Sequence, residues 1–559
     1  VFLIRYLRIE RISNMALFNS VKALRPKRHF FNLSNEYKFT CDMGQLIPVY
    51  LEECYPGDKF KISNECVVRM QPLSAPVMHA INIYTEYFFV PTRLLWDKWS
   101  DFFTGGKDGQ DTSEIPLWDD YYTSATAPPL LSLWDYFGLP LVIPTSSDVC
   151  PIAFPKYAYN LIWNEYYRDE TIDTELDITA NNNVLYRRWK KDYFTSALPF
   201  QQRGVSPSFP LTGNAPFTYQ SDVRFDTRAI KSNIGSPTGS VGSLSGDNLF
   251  ANPDVSGLNI VAGYTYPYSS VSSLDNAQVG LRYVSDGNTN FVPMRTSGGG
   301  NVDLSGISTF NISDLRLATQ IQKWLERNAR SGVRYPEFLM AHFGVMPSDS
   351  RLQRPEYLGG TKAPLLVSEV LQTSESTASS PQGNLAGRGI GANAGYICSY
   401  SVPEPGYIIG LFSIMPKNCY QSQGINKKWL RRSRYDFYFP EFAHLSEQPI
   451  RNCEIYMSSS DETNLATFGY QGIYDELRHN RDKVSSYFRS ESSPSLDYWH
   501  LARAFSSTPA LNSNFLECNP SKRIFEVQDE NGFLVDFGNI IKVVRPIPQY
   551  AEPGLLDHF

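Results

Sequence analysis

Residues 311–360 read NISDLRLATQIQKWLERNARSGVRYPEFLMAHFGVMPSDSRLQRPEYLGG. Ile312, Leu315, Ala318, Ile321, Trp324 and Leu325 recur at helical spacing, and Arg316, Gln320, Lys323, Glu326 and Arg327 take the other faces, which predicts an amphipathic helix. Ser313 is placed to cap its first turn, Asp314 lies near the positive end of the dipole, and Ser331-Gly332 supplies the stop. A shorter helix is expected next, with Pro336 and Glu337 in its first turn, Phe338, Leu339, Ala341 and Phe343 on a buried side, and Gly344 at the exit. Glu326 and Arg330 read as a modestly stabilising i,i+4 pair.

The text around these helices is mostly strand. Aromatic residues make up 14% of the 559-residue chain, with 34 Tyr and 34 Phe, a bias toward β structure and toward contact surfaces. LIPVYLEECYPGDKFKIS carries a Pro-Gly-Asp turn between strand-like runs, NECVVRM follows, and AINIYTEYFFV (80–90) alternates as a strand with two partly covered faces. LLWDKWSDFFTGG (94–106) predicts a short helix ended by its Gly pair. Further on, APLLVSEVLQT reads as a strand, 373–395 as a Ser/Gly-rich loop, YIIGLFSIMP (407–416) as a buried strand and GFLVDFGNIIKVVR as the last one, while RDKVSSYFR is expected to be helical. Strands at both ends with long excursions between them fit a Greek-key sandwich in which first and last strands meet. Between 211 and 310 the chain is dense in Gly and Ser and lacks Trp, Cys, His and Glu, so this window is expected to be a large surface insertion, with 258–268 and 277–285 as short strands.

Little of the chain points to chemistry. The seven histidines never stand at metal-ligand spacing, no G-x-S-x-G elbow occurs, and Gly389-Ile-Gly391-Ala-Asn-Ala394 precedes strand-like YICSY instead of opening a helix, so no catalytic, cofactor or metal site is expected. Asp97 with Asp101, and Glu165 with Asp169, have the spacing of solvated helix faces or salt-bridge partners. The eight cysteines are scattered with no C-x-x-C pair, the pattern of free buried thiols. No run of about 18 apolar residues is present, so membrane insertion is not expected.

A formal net charge of -6 excludes wholesale neutralisation of nucleic acid, so any contact with it must be local. Three basic clusters qualify. YRRWKKDYF sets Arg187, Arg188, Lys190 and Lys191 around Trp189, and NKKWLRRSRY sets Lys427, Lys428, Arg431, Arg432 and Arg434 around Trp429. Both supply cations for phosphates and a ring for unstacked bases, as single-stranded DNA requires, or else form solvated basic faces. Lys22, Arg25, Lys27 and Arg28 make the third, on an N-terminal arm spanning 1–37 in which Met15 is read as the start.

Several runs carry a family resemblance. QKWLERNARSG, RYPEFLMAHFGV and DSRLQRPEYLGG closely resemble a signature segment of the major capsid proteins of microviruses, in particular the gokushovirus branch of these single-stranded DNA phages. TCDMGQLIPV, PGDKF, APVMHAINIYTEYFFVP, WDKW, IWNEYYRDE and DYFTSALPF resemble the same family in the same order, so the likeness spans Met15 to the C-terminus. It implies a mainly β fold, a single eight-stranded jelly roll (38–559) with long loop insertions and a few helices, assembled into a small icosahedral T=1 shell around circular single-stranded DNA. It also implies three-fold protrusions built by 211–310, a host surface receptor, a separate small basic DNA-binding virion protein, and assembly of the virion in the bacterial cytoplasm. Trp324, Tyr335 and Phe343 are then expected to pack, and Arg327, Arg330, Arg334 and Arg351 to form ion pairs between segments or subunits. The competing reading is a β-sandwich glycan-binding protein or glycosidase.

Overall fold

KFKISNECVVRM (59–70) alternates between exposed and buried, as a strand with one face on a core must. GYIIGLFSIMP (406–416) is buried at every position, which requires cover on both faces. These two patterns organise the molecule. Its computed structural model describes residues 27–106, 110–142, 147–207, 215–219, 222–226, 291–295, 298–302, 312–331, 334–346, 348–371, 385–445 and 447–550. The chain divides into two compact units, Val1–Val205 with Lys323–Phe559, and Ser206–Gln322.

In the first unit the strands are β1 (His29–Asn32), β2 (Asn35–Cys41), β3 (Ile47–Cys54), β4 (Lys59–Met70) and β5 (Ile81–Pro91). The second unit holds β6 (Ala215–Tyr219), β7 (Asp222–Asp226), β8 (Phe291–Arg295) and β9 (Gly298–Val302). The first unit resumes with β10 (Glu356–Leu371), β11 (Leu385–Ser401), β12 (Gly406–Pro416), β13 (Glu447–Arg451), β14 (Thr467–Gly472) and β15 (Phe533–Arg545). One sheet runs β2-β15-β4-β11 and the other β3-β12-β5-β10, every pairing antiparallel. The long β10 joins them, pairing with β5 from Glu356 to Leu365 and with β11 from Leu366 to Leu371. This winding, two Greek keys over eight strands, is a jelly roll. First and last strands meet as expected: β2 lies along Phe533–Asn539 of β15, and β1 along Lys542–Arg545. The sheet thus begins at His29, inside the segment expected to be an arm, because β15 is long enough to offer backbone partners to both short strands.

Between the sheets Ile47, Ile83, Phe412 and Phe537 are fully buried with Val49, Val68 and Ile414. A second apolar layer, with Trp118, Trp134, Phe154, Tyr159 and Ile162, covers Phe88, Val90, Tyr407, Ile409 and Leu411 on the outer face of the β12 sheet. That layer comes from the excursion after β5. Helix α1 (Trp99–Thr104) ends where Gly105 takes φ 83°, and α2 (Phe154–Ile162) runs into a π-helical turn, Trp163–Tyr167. Helix α3 spans Ile312–Ser331, with Ser313 at its second position, and Gly332 lies outside the described residues. Helix α4 (Tyr335–Phe343) closes with Gly344 at φ 68°.

Two expectations need correction, and a third falls outside the described residues. The stretch read as a Ser/Gly loop is strand β11 from Leu385 onward; Gly387, Gly389 and Gly391 are buried on one face, and a Cβ on Gly389 would lie 2.1 Å from Met70 Sδ, so the strand has to be bare there. RDKVSSYFR forms only a 3-10 turn at Ser486–Phe488, since its apolar groups have no helical face to follow. In the second unit β6 pairs with β9 and β7 with β8, while 258–268 and 277–285 lie outside the described residues.

Replacing Phe412 with Ala should lower the unfolding free energy of the unassembled chain by about 3–5 kcal/mol, whereas Val67→Ala on the open face of β4 should stay within roughly 0.5 kcal/mol. Urea unfolding of the two variants checks this.

Candidate nucleic-acid and subunit contact surfaces

The 187–191 cluster lies where the chain returns beneath the β12 sheet. Its backbone is pinned: Arg187 N–H donates to Gly44 O, Trp189 N–H to Leu516 O and Cys518 N–H to Arg187 O. Arg187 donates to Glu86 Oε2 (3.0 Å) and Ser413 Oγ (3.0 Å) while lying over the rings of Tyr84 and Tyr167. Arg188 donates to Asp173 (2.8 Å), Glu517 (3.3 Å) and Ser513 (2.9 Å). Trp189 is 4% exposed with the Arg503 guanidinium over its ring, and Lys191 pairs with Asp169. Of the group expected to meet DNA, Lys190 is exposed, whereas Arg187, Arg188 and Lys191 each pair with a carboxylate. The others are taken up by acids of the same chain, and no base can stack on a buried Trp189. The nearby Tyr167 hydroxyl donates to Glu86, and burial with that carboxylate pushes its pKa far above the ordinary range.

The 427–434 cluster is built differently. Its segment is a string of 3-10 turns, Lys427–Trp429, Arg434–Asp436 and Pro440–Phe442, none with a buried residue and the first two held by polar side-chain caps. The Asn426 side chain accepts from Lys428 N–H, and the Asp436 carboxylate accepts from Arg432 and Ser433 N–H at 2.7 Å each, which lowers its pKa. With the backbone so tied, aromatic rings point outward. Trp429 is 79% exposed and Tyr435, Phe437 and Tyr438 are more than half exposed. Arg432 and Arg434 are exposed, with Arg434 stacked on Tyr435. Lys427 donates to Pro449 O and Lys428 to Asn480 Oδ1. Arg431 turns inward over Phe437, 3.6 Å from Glu476, at the edge of a cavity of about 650 Å³. Lys22 and Arg25 lie outside the described residues, while Lys27 and Arg28 are exposed at the entry to β1.

On the third surface, Arg330 donates to Glu447 (2.6 Å), whose pKa burial raises against the pull of that guanidinium. Arg334 donates to Glu170 (2.7 Å) and to the Asn164 and Arg168 carbonyls, tying α4 to the turn after α2. Arg327 and Arg351 are exposed. Trp324, Tyr335 and Phe343, expected to pack, are 50%, 63% and 69% exposed, because within the subunit α4 buries only Pro336. Sequence reasoning missed Met340, Val345 and Met346 on the same surface, and the outward aliphatics Leu130, Val142 and Val149. The signal for the first set was present: α4 is apolar on nearly every side.

Among the described residues no three His, Cys, Asp or Glu are gathered as a metal group, and no helix is long and apolar enough to cross a membrane. The eight thiols are free, six of them buried.

A jelly roll whose polar side chains serve packing, and whose uncovered surfaces are aromatic, aliphatic and arginine-rich, defines a structural subunit built to meet other molecules. Sequence comparison gives the particular family. The model described as "Capsid protein (F protein)" matches residues 19–555. Capsid protein VP1 of Chlamydia phage 1 is 35% identical over 96% of this chain and 97% of that protein. VP1 of Bdellovibrio phage phiMH2K is 33% identical over 98% and 99%, and VP1 of Spiroplasma virus 4 is 30% identical over 98% of each. The chain belongs to this family of microvirus capsid proteins, and its role is structural, not enzymatic.

Removing Arg188 would strand the Asp173 carboxylate, whose side chain is 3% exposed, so Arg188→Ala should destabilise by about 3–5 kcal/mol. Lys190→Ala should shift unfolding by no more than roughly 0.5 kcal/mol. Chemical denaturation of the two variants measures both.

Proposed function

We propose that this chain builds a small icosahedral T=1 shell of a gokushovirus-like phage around circular single-stranded DNA, assembling in the cytoplasm of its bacterial host. The observation that carries this reading is the jelly roll itself, wound across a chain that is similar to phage capsid proteins over almost its full length. In this reading 1–37 is an arm continued into the sheet, 38–559 is the shell domain, and 211–310 forms the three-fold protrusions and meets the host receptor. The surface of α3 and α4, with Trp324, Arg327, Tyr335 and Arg351, meets other copies.

DNA contact falls to Lys427, Lys428, Trp429, Arg432 and Arg434, with Lys22, Arg25, Lys27 and Arg28 of the arm. Support comes from the exposure of Trp429 beside uncovered guanidinium groups, the pairing of stacking platform and cation that single strands require. Because the chain carries a net charge of -6, a small basic virion protein supplies the remaining neutralisation.

Electron microscopy and sedimentation of the full chain should show closed shells, and a stable monomer would sink the reading. Exchanging Lys428, Arg432 and Arg434 for Gln should leave shells intact and reduce their DNA content severalfold. Unchanged DNA content would return the cluster to the solvated face.

A further inference from the structure

Helix α4 has little polar surface. In YPEFLMAHF Tyr335, Glu337 and His342 are the ionisable residues, and His342 is turned toward α3 with its Nε2 2.6 Å from Asn328 Oδ1. A helix apolar on nearly every side belongs in an interior. Here Pro336 alone is buried, while Met340 and Phe343 are 56% and 69% exposed. The patch extends past the helix into Val345 and Met346, 59% and 71% exposed, and across to Trp324, whose ring lies 6.4 Å from Phe338. Lys323 and Arg327, on either side of Trp324 in the sequence, are exposed, as are Arg351 and, on the helix itself, Glu337. A contiguous apolar patch with a charged fringe marks a contact surface.

The same subunit carries a surface of opposite character. Residues 97–152 turn Trp118 and Trp134 inward onto the β12 sheet. In the same stretch Phe103, Leu130, Val142 and Val149 are each at least 56% exposed, and Asp97, Asp101, Asp111 and Glu114 are exposed as well. Lys98 is the one exposed cation among the described residues of this stretch. Both carry exposed apolar side chains, and the exposed charges are mainly cationic at the first, Glu337 aside, and mainly anionic at the second among the described residues.

We infer that α4 and its flanks dock on the 97–152 surface of a second copy of this chain. The contact is heterologous, one patch on a different patch, which is the kind that repeats around a rotation axis and closes into rings. Apolar burial supplies adhesion, and the arginine and lysine fringe against carboxylates fixes orientation. The inference rests on the shell reading, and names which two faces that shell joins.

The test mixes 14N and 15N full-length chains, assembles them, and treats the shells with a zero-length carbodiimide. Mixed-isotope peptides joining Lys323 to carboxylates of 97–114 are expected in shells and absent from dissociated chains. Links from Lys323 only within one chain, to its own insertion or elsewhere, would overturn the docking. In parallel, Phe343→Ser with Met346→Ser should reduce shell yield by about tenfold or more without moving the unfolding transition, since both side chains are exposed in the subunit. Variant shells formed at wild-type yield, whether full or lacking DNA, would overturn the inference alone. A wild-type chain that forms no shells would remove the shell reading and this contact with it.

Discussion

Burial of β12 on both faces, within the β3-β12-β5-β10 sheet, is the constraint from which the rest of the structure follows. Every position of β12 is enclosed, so this sheet needs a partner sheet on one side and a second apolar layer on the other. The first comes from β2-β15-β4-β11, the second from the excursion after β5. The two sheets are also joined by polar groups. Tyr87 on β5 donates its hydroxyl to Asn539 Oδ1 on β15 (2.9 Å), and Asn539 Nδ2 donates to Val49 O on β3 (3.0 Å), so the buried amide is satisfied across the sandwich and fixes its register. Gly410 is needed beside them, since a Cβ there would lie 2.8 Å from the Tyr87 ring.

Once one sheet is covered twice and the other once, the division of labour among the loops is set. The segment following β5 is bound to the sheet and contributes its outward side chains as surface. The segment between β12 and β15 buries Phe468 and Phe515 in a cluster with Tyr193 and Phe194, while its short turns at 427–442 leave Trp429, Tyr435 and Phe437 outward. Surfaces rich in aromatic and aliphatic side chains arise here because the subunit core is already filled by other residues, not because these positions failed to fold.

The basic clusters show how far composition reaches. YRRWKKDYF and NKKWLRRSRY are nearly interchangeable as text, yet Trp189 is 4% exposed and Trp429 79%. The difference comes from Met415 and Cys518, which pack on Trp189, and from Glu86 and Glu517, which meet Arg187 and Arg188 from 101 and 329 residues away. No local pattern contains that information. The α4 surface was more legible, since an apolar helix with little polar surface can be recognised in sequence; which side the subunit itself would cover could not.

The sequence alone determined the strands with strong period or strong apolarity, β4, β5, β12 and β15, the two helices between 312 and 343 with the glycine that ends the second, and the family. Side-chain spacing and backbone restrictions act locally, so they are written locally. Tertiary structure alone decided that the glycine-rich run after Leu385 is a strand, that Arg188 is an internal ion pair, and that Trp324 and Phe343 lie uncovered. Each of these depends on what arrives from a distant part of the chain: Met70 against Gly389, Asp173 and Glu517 against Arg188, and, for α4, the lack among the described residues of a layer that buries more than Pro336.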